Sequence, residues 1–73
     1  MKQILTKVGT YDVSTIPPDG GLVRFHETCI FARFPAGNMH SKVVATYNTE
    51  QNALDGHAAI VATIEFITGQ EAR

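Results

Sequence analysis

The chain has 73 residues, of which 44% are hydrophobic and 18% are charged. This length allows one domain, over residues 1–73. Because the single Cys29 excludes a disulfide within the chain, we expect the stability of the domain to depend on self-association or on a protein partner. The net charge of −1 does not favour nucleic-acid binding. The chain lacks both the apolar run of a signal peptide and the roughly 20 apolar residues of a membrane span, so we expect a cytoplasmic protein.

The first segment, residues 2–15, is rich in β-branched and aromatic residues in loose alternation, and it predicts an extended strand. Gly9 in its middle indicates a bulge or a bend. Residues 16–21 (IPPDGG) then predict a turn, because the two prolines fix φ and the glycines permit positive φ.

The second segment, residues 22–34, predicts a central strand because apolar side chains alternate onto both of its faces. Residues 35–38 (PAGN) predict a turn, and residues 41–47 (SKVVATY) predict a third strand that returns as an antiparallel hairpin.

The longest periodic segment, residues 49–68, predicts a C-terminal helix. Asn48 or Thr49 can cap its first turn, and Gly69 provides a stop. The predicted fold class is therefore α+β, in the order β-β-β-α, with a three-stranded antiparallel sheet and one helix packed on one face.

A single helix leaves the opposite face of the sheet uncovered, and apolar side chains there favour contact with another copy or another protein. The alternation does not decide which face this is. The candidate interaction face is one of two sets: Phe25, Cys29, Phe31, Val43 and Tyr47, or Ile30, Phe34 and Val44.

His57 is the unusual residue of the helix. At about 100° per residue it lies in the middle of the apolar arc formed by Ala53, Leu54, Ile60, Val61 and Ile64, so it is expected to face the sheet. One interpretation is a neutral core histidine bonded through one nitrogen to a strand carbonyl or hydroxyl. The other is a buried pair with Glu27, which would raise the pKa of His57 and stabilise the fold most while the ring is charged.

Two sequence motifs of this chain resemble motifs that are found in small uncharacterised proteins of phages and prophages. The strand pattern Glu-Thr-x-x-Phe matches Glu27, Thr28 and Phe31, and the helix pattern Thr-x-x-x-Ala-x-x-Gly-His matches a second set: Thr49, Ala53, Gly56 and His57. The resemblance implies a compact β-rich domain with a C-terminal helix, encoded by a phage or mobile element, and it implies no activity. The expected location is then the host cytoplasm or the virion.

The sequence offers only weak candidates for a catalytic or metal-binding site. Cys29 lies in the most apolar stretch, where burial raises the pKa of a thiol, and the spacing of His26 and Cys29 on a strand points them to opposite faces, which argues against a metal site. We therefore predict no enzyme activity, no catalytic residues, no cofactor and no small-molecule substrate. The alternative to a protein-interaction role is nucleic-acid binding by Arg24, Arg33 and Lys42 together with Phe25 and Phe34.

Overall fold

The computed structural model describes residues 1–33 and 40–72, and within them the chain forms four β-strands and one α-helix. In chain order these are β1 (Ile4–Val8), β2 (Tyr11–Ile16), β3 (His26–Ala32), β4 (His40–Tyr47) and α1 (Glu50–Thr68). The strands pair in the order β1-β2-β3-β4, each antiparallel to the next. The predicted antiparallel sheet with a C-terminal helix is confirmed, but the prediction of three strands is wrong. Phe34 and the predicted turn at 35–38 lie outside the described residues.

The additional strand arises at Gly9, where the first predicted segment folds into a hairpin. Val8 pairs with Tyr11, so the connection between β1 and β2 is the two-residue turn Gly9-Thr10. Gly9 has φ of 59°. A positive φ at the first central position is what a type II′ hairpin turn requires, and glycine adopts it without steric cost. The prediction of a bulge or bend at Gly9 was therefore too weak, because the chain reverses its direction completely at this residue.

β3 begins at His26, later than the predicted start at Leu22, because the preceding residues form a closed loop. The Asp19 side chain accepts hydrogen bonds from the backbone N–H groups of Gly21 and Val23 at 2.7 and 3.1 Å. The Asp19 N–H also donates to the Val23 carbonyl at 3.0 Å. These bonds occupy backbone groups that would otherwise pair with a neighbouring strand, and they leave Leu22 fully exposed.

α1 has the predicted boundaries. The Thr49 hydroxyl accepts from the Asn52 N–H at 3.1 Å, which makes Thr49 the N-cap. Gly69 ends the helix in the left-handed conformation with φ of 70°, and its N–H donates to the Glu65 carbonyl at 2.8 Å. The helix packs against all four strands on one face of the sheet.

The interior between α1 and the sheet is small and unusually polar. Among the described residues, the fully buried apolar side chains are those of Val8, Val13 and Ala53. Thr15, Thr28 and His57 are buried beside them. A buried polar group is tolerated only when it is hydrogen-bonded, so the partners of these three side chains determine how α1 is held.

Candidate functional site

A chain of hydrogen bonds crosses the sheet beneath α1 and takes one side chain from every element. Thr15 bonds to Thr28 at 2.6 Å, and Thr28 donates to the Tyr47 hydroxyl at 3.1 Å. The two ring nitrogens of His57 contact hydroxyls on different strands, Nδ1 that of Thr15 at 2.7 Å and Nε2 that of Thr6 at 2.8 Å. We call these five side chains, Thr6, Thr15, Thr28, Tyr47 and His57, the polar ladder.

The direction of the bonds assigns the tautomer of His57. A hydroxyl has one hydrogen to donate, and Thr28 donates its hydrogen to Tyr47, so Thr28 accepts from Thr15. Thr15 must then accept from His57, which places the ring proton on Nδ1. Nε2 is left as the acceptor for the Thr6 hydroxyl. All hydrogen-bonding positions of a neutral imidazole are occupied in this arrangement.

The structure does not bring Glu27 to His57. Glu27 pairs with Ile16 and Thr46 across the sheet, one residue away from Thr28, so its side chain lies on the face opposite α1. The proposed buried pair is therefore not formed. Of the two interpretations of His57, the structure agrees with the core histidine bonded to strand hydroxyls, although both ring nitrogens are bonded rather than one.

Burial lowers the pKa of His57 below its ordinary value, because removal from water disfavours the charged ring. This direction is opposite to the one expected for a pair with Glu27. His57 is 6% exposed, and its ring contacts hydroxyls rather than a carboxylate. The arrangement therefore holds an uncharged imidazole between β1 and β2.

Cys29 is half-buried on the same sheet face as Glu27. Burial and the negative charge of Glu27 both raise the pKa of its thiol. A protonated thiol is a poor nucleophile, so this environment favours a packing role for Cys29 over a catalytic one.

The face opposite α1 carries a row of side chains across all four strands, apolar on β1, β3 and β4 and polar at Ser14 on β2, which is buried and accepts from the Gln3 amide at 2.9 Å. Leu5 pairs with Ser14, Ser14 with Cys29, and Cys29 with Val43, so these side chains share one face, with Phe31 beside them. Leu5 is 52% exposed and Val43 is 49% exposed. We call Leu5, Ser14, Cys29, Phe31 and Val43 the open face.

The first predicted interaction set is divided by the fold. Cys29, Phe31 and Val43 belong to the open face, whereas Tyr47 lies beneath α1 in the polar ladder. Phe25 precedes β3 and is 49% exposed. Tyr47 lies on the other face because the register shifts between Thr28 and Cys29, a bulge that changes the alternation along β4.

Ile30, from the second predicted set, lies on the helix side, since it pairs with Val13. Ile30 and Val44 line a shallow groove of about 420 Å³ together with Ala32, Ser41 and Lys42. Phe34, the third member of that set, lies outside the described residues. The groove occupies the sheet beside the strand edge of β4, where Val44 is 43% exposed.

The cations of the predicted nucleic-acid surface do not converge. Arg24 precedes β3 and Arg33 follows it, so the seven residues of that strand, about 20 Å, separate them. The Arg33 guanidinium is paired with Asp12 at 3.3 Å and donates to the Gly9 carbonyl at 3.1 Å. Lys42 pairs with Ile30 and so faces the helix side. Arg33 is thereby held by its own chain rather than presented to a phosphate.

Four members of the polar ladder were not identified from the sequence, namely Thr6, Thr15, Thr28 and Tyr47. A signal was present, because His57 was expected to face the sheet and the strands are rich in threonine. Threonine is equally common in strands for its β-branched shape, so its abundance did not distinguish a hydrogen-bonding role from a packing role. The face of the sheet that meets the helix had to be known first.

Among residues 1–33 and 40–72, no group of three or more His, Cys, Asp or Glu side chains is placed to hold a metal ion. In the same described part of the chain, no helix combines the length and the apolar character needed to cross a bilayer. Comparisons with protein-family models, with curated proteins and with solved structures found no match.

Proposed function

We propose that this protein acts without catalysis, by associating with protein through the open face. The observation that carries the proposal is the exposure of apolar side chains on the open face, where Leu5 and Val43 are each about half exposed on the side that α1 leaves bare. Exposed apolar side chains of this kind on one face of a sheet are typical of an interaction surface. The most direct occupant is a second copy, since two such faces can pack together as in a sandwich.

The small interior of the chain supports the same proposal. Few side chains are fully buried between the helix and the sheet, and domains of this size often rely on association for part of their stability. Burial of the open face would add apolar contact where the single chain has little. The resemblance of its two motifs to phage and prophage proteins suggests the setting, as a component of a particle or as an effector directed at a host protein.

Light scattering after size exclusion, over the micromolar range, tests the self-association half of the proposal. We expect the wild-type chain to exceed the monomer mass and Val43→Glu to return it to the monomer, because a carboxylate in the row would be buried unpaired. Leu22→Glu is the matched control, since it adds the same charge at a fully exposed position of the 17–25 loop, away from the sheet. A wild-type monomer at every concentration contradicts self-association.

If the chain is monomeric, capture from a host lysate tests the other half. Wild type, Val43→Glu and Leu22→Glu are used as baits, and a protein retained by the first and third but lost by the second supports a partner at the open face. Recovery of nucleic acid by all three instead favours the alternative function, a nucleic-acid-binding module that uses Arg24 and Lys42.

A further inference from the structure

We propose that His57 is an acid-sensitive latch, which holds α1 against the sheet while its ring is neutral and releases the helix when the ring is protonated. The proposal rests on the geometry of the polar ladder. The ring lies between the Thr6 and Thr15 hydroxyls, and His57 is 6% exposed. Nε2 receives the Thr6 hydrogen, so a proton added at Nε2 reverses that hydrogen bond, deprives the Thr6 O–H of its acceptor and places a charge in the interior.

The groups around His57 offer little to offset such a charge. Among the described side chains on the helix-facing side of the sheet, the titratable or cationic ones are Tyr11 on β2, His26 on β3, and Lys42 and Tyr47 on β4. The helix-facing positions of β1 hold Ile4, Thr6 and Val8. None of these described side chains is a carboxylate. Lys42 is a cation, so it supplies no counter-charge for a protonated ring.

The three carboxylates of α1 have other partners. Glu50 pairs with the amino group of Met1 at 3.1 Å. Glu65 accepts the backbone N–H of Ala72 at 2.8 Å. Asp55 lies on an exposed part of the helix, where it accepts from Gln51. Within the described chain, the hydrogen bonds of His57 go to hydroxyls alone.

The helix is the element most able to leave. Of the described residues of α1, Ala53 and His57 are the ones classed as buried, so the latch is one of the two deepest attachments of the helix. The four strands are joined to one another by their own backbone ladders, which do not involve α1. A buried positive charge on His57 therefore weakens helix docking before it weakens the sheet.

The direction of the pH effect follows from the lowered pKa of His57 in the docked state. When α1 is released, the ring meets water and regains its ordinary pKa of about 6.5. The released state then binds the proton first, so docking is strongest above about pH 6.5 and weakens as the pH falls below it.

Two measurements by nuclear magnetic resonance test the latch in the intact chain. The first follows the ring of His57 against pH, and we expect its midpoint below about 6.5. The second compares amide protection factors in α1 with those in β2 and β3, and we expect acid to lower protection in α1 more than in the strands. A midpoint at or above the ordinary value, or equal protection changes in helix and strands, overturns the proposal.

Two variants isolate the ring. His57→Asn keeps an N–H donor near the position of Nδ1 but does not titrate, so protection of α1 should become independent of pH in this range. His26→Asn removes the other described histidine on this face and should keep the wild-type response. Retention of the response in His57→Asn contradicts the latch. If His57→Asn does not fold, the titration of His57 and the amide protection factors of the wild-type chain still test whether acid releases α1.

Discussion

A Cβ atom built on Gly56 overlaps the aromatic ring of Tyr47. The absence of a side chain at this position lets α1 approach β4 closely enough for Tyr47 to lie beneath the helix and accept a hydrogen bond from Thr28. Glycine inside a helix costs about 1 kcal/mol relative to alanine. The close approach of α1 to β4 therefore lowers the intrinsic stability of the helix.

Gly56→Ala is expected to destabilise the fold, although alanine is the better helix former. Overpacking costs about 1–3 kcal/mol, which exceeds the gain in helix propensity. Urea unfolding of Gly56→Ala in the wild-type and Tyr47→Leu backgrounds measures the coupling, and the substitution should become neutral or stabilising once the ring is gone. Ala62→Gly, at an exposed helix position, is the control for propensity. Destabilisation of the same size in both backgrounds would show that the ring is not the cause.

At the scale of elements, α1 is the part of the fold that local sequence specifies most fully. Thr49 supplies the N-cap bond, and Gly69 supplies the left-handed residue that ends the helix. Both signals depend on residue type and on nearby backbone groups alone, so they act without the rest of the fold. The hairpin turn at Gly9 differs from these two signals, because glycine permits a bend and a reversal alike, and the pairing of Val8 with Tyr11 makes it a reversal.

Thr49→Ala is expected to cost about 1 kcal/mol of stability, since the Asn52 N–H loses its acceptor. Far-UV circular dichroism combined with urea unfolding measures the change. Thr63→Ala is the matched control, because the exposed Thr63 hydroxyl bonds back to the Ala59 carbonyl at 2.8 Å, a contact that contributes little or slightly disfavours a helix. Equal losses in the two variants would mean that the cap bond does not stabilise α1.

At the scale of the whole molecule, the polar ladder ties together every element of the described chain. It joins β1, β2, β3, β4 and α1 through side chains that are far apart in sequence, Thr6 and His57 being 51 residues apart. A fully satisfied polar network of this kind specifies one register and one helix position, whereas a partly satisfied one is destabilising.

Thr15→Val tests the ladder, because it removes the acceptor of the His57 proton and the donor to Thr28 while preserving shape. A buried donor left unpaired costs about 1–3 kcal/mol, so we expect a loss of that size in urea unfolding. Thr46→Val makes the same chemical change at an exposed position of β4 and should alter stability by less than about 0.5 kcal/mol. A similar small change in both variants would contradict a stabilising role for the ladder.

The amino-acid sequence by itself determined the class of the fold, the extent of α1 and its caps, the hairpin of β3 and β4, and the orientation of His57 towards the sheet. These follow from periodicity and from residues that act on their immediate neighbours. The tertiary structure alone decided that Gly9 reverses the chain, that Glu27 lies away from the helix, and that Tyr47 lies beneath it. Those outcomes depend on strand register, in which a shift of one residue, as at the bulge beside Cys29, moves a side chain to the opposite face.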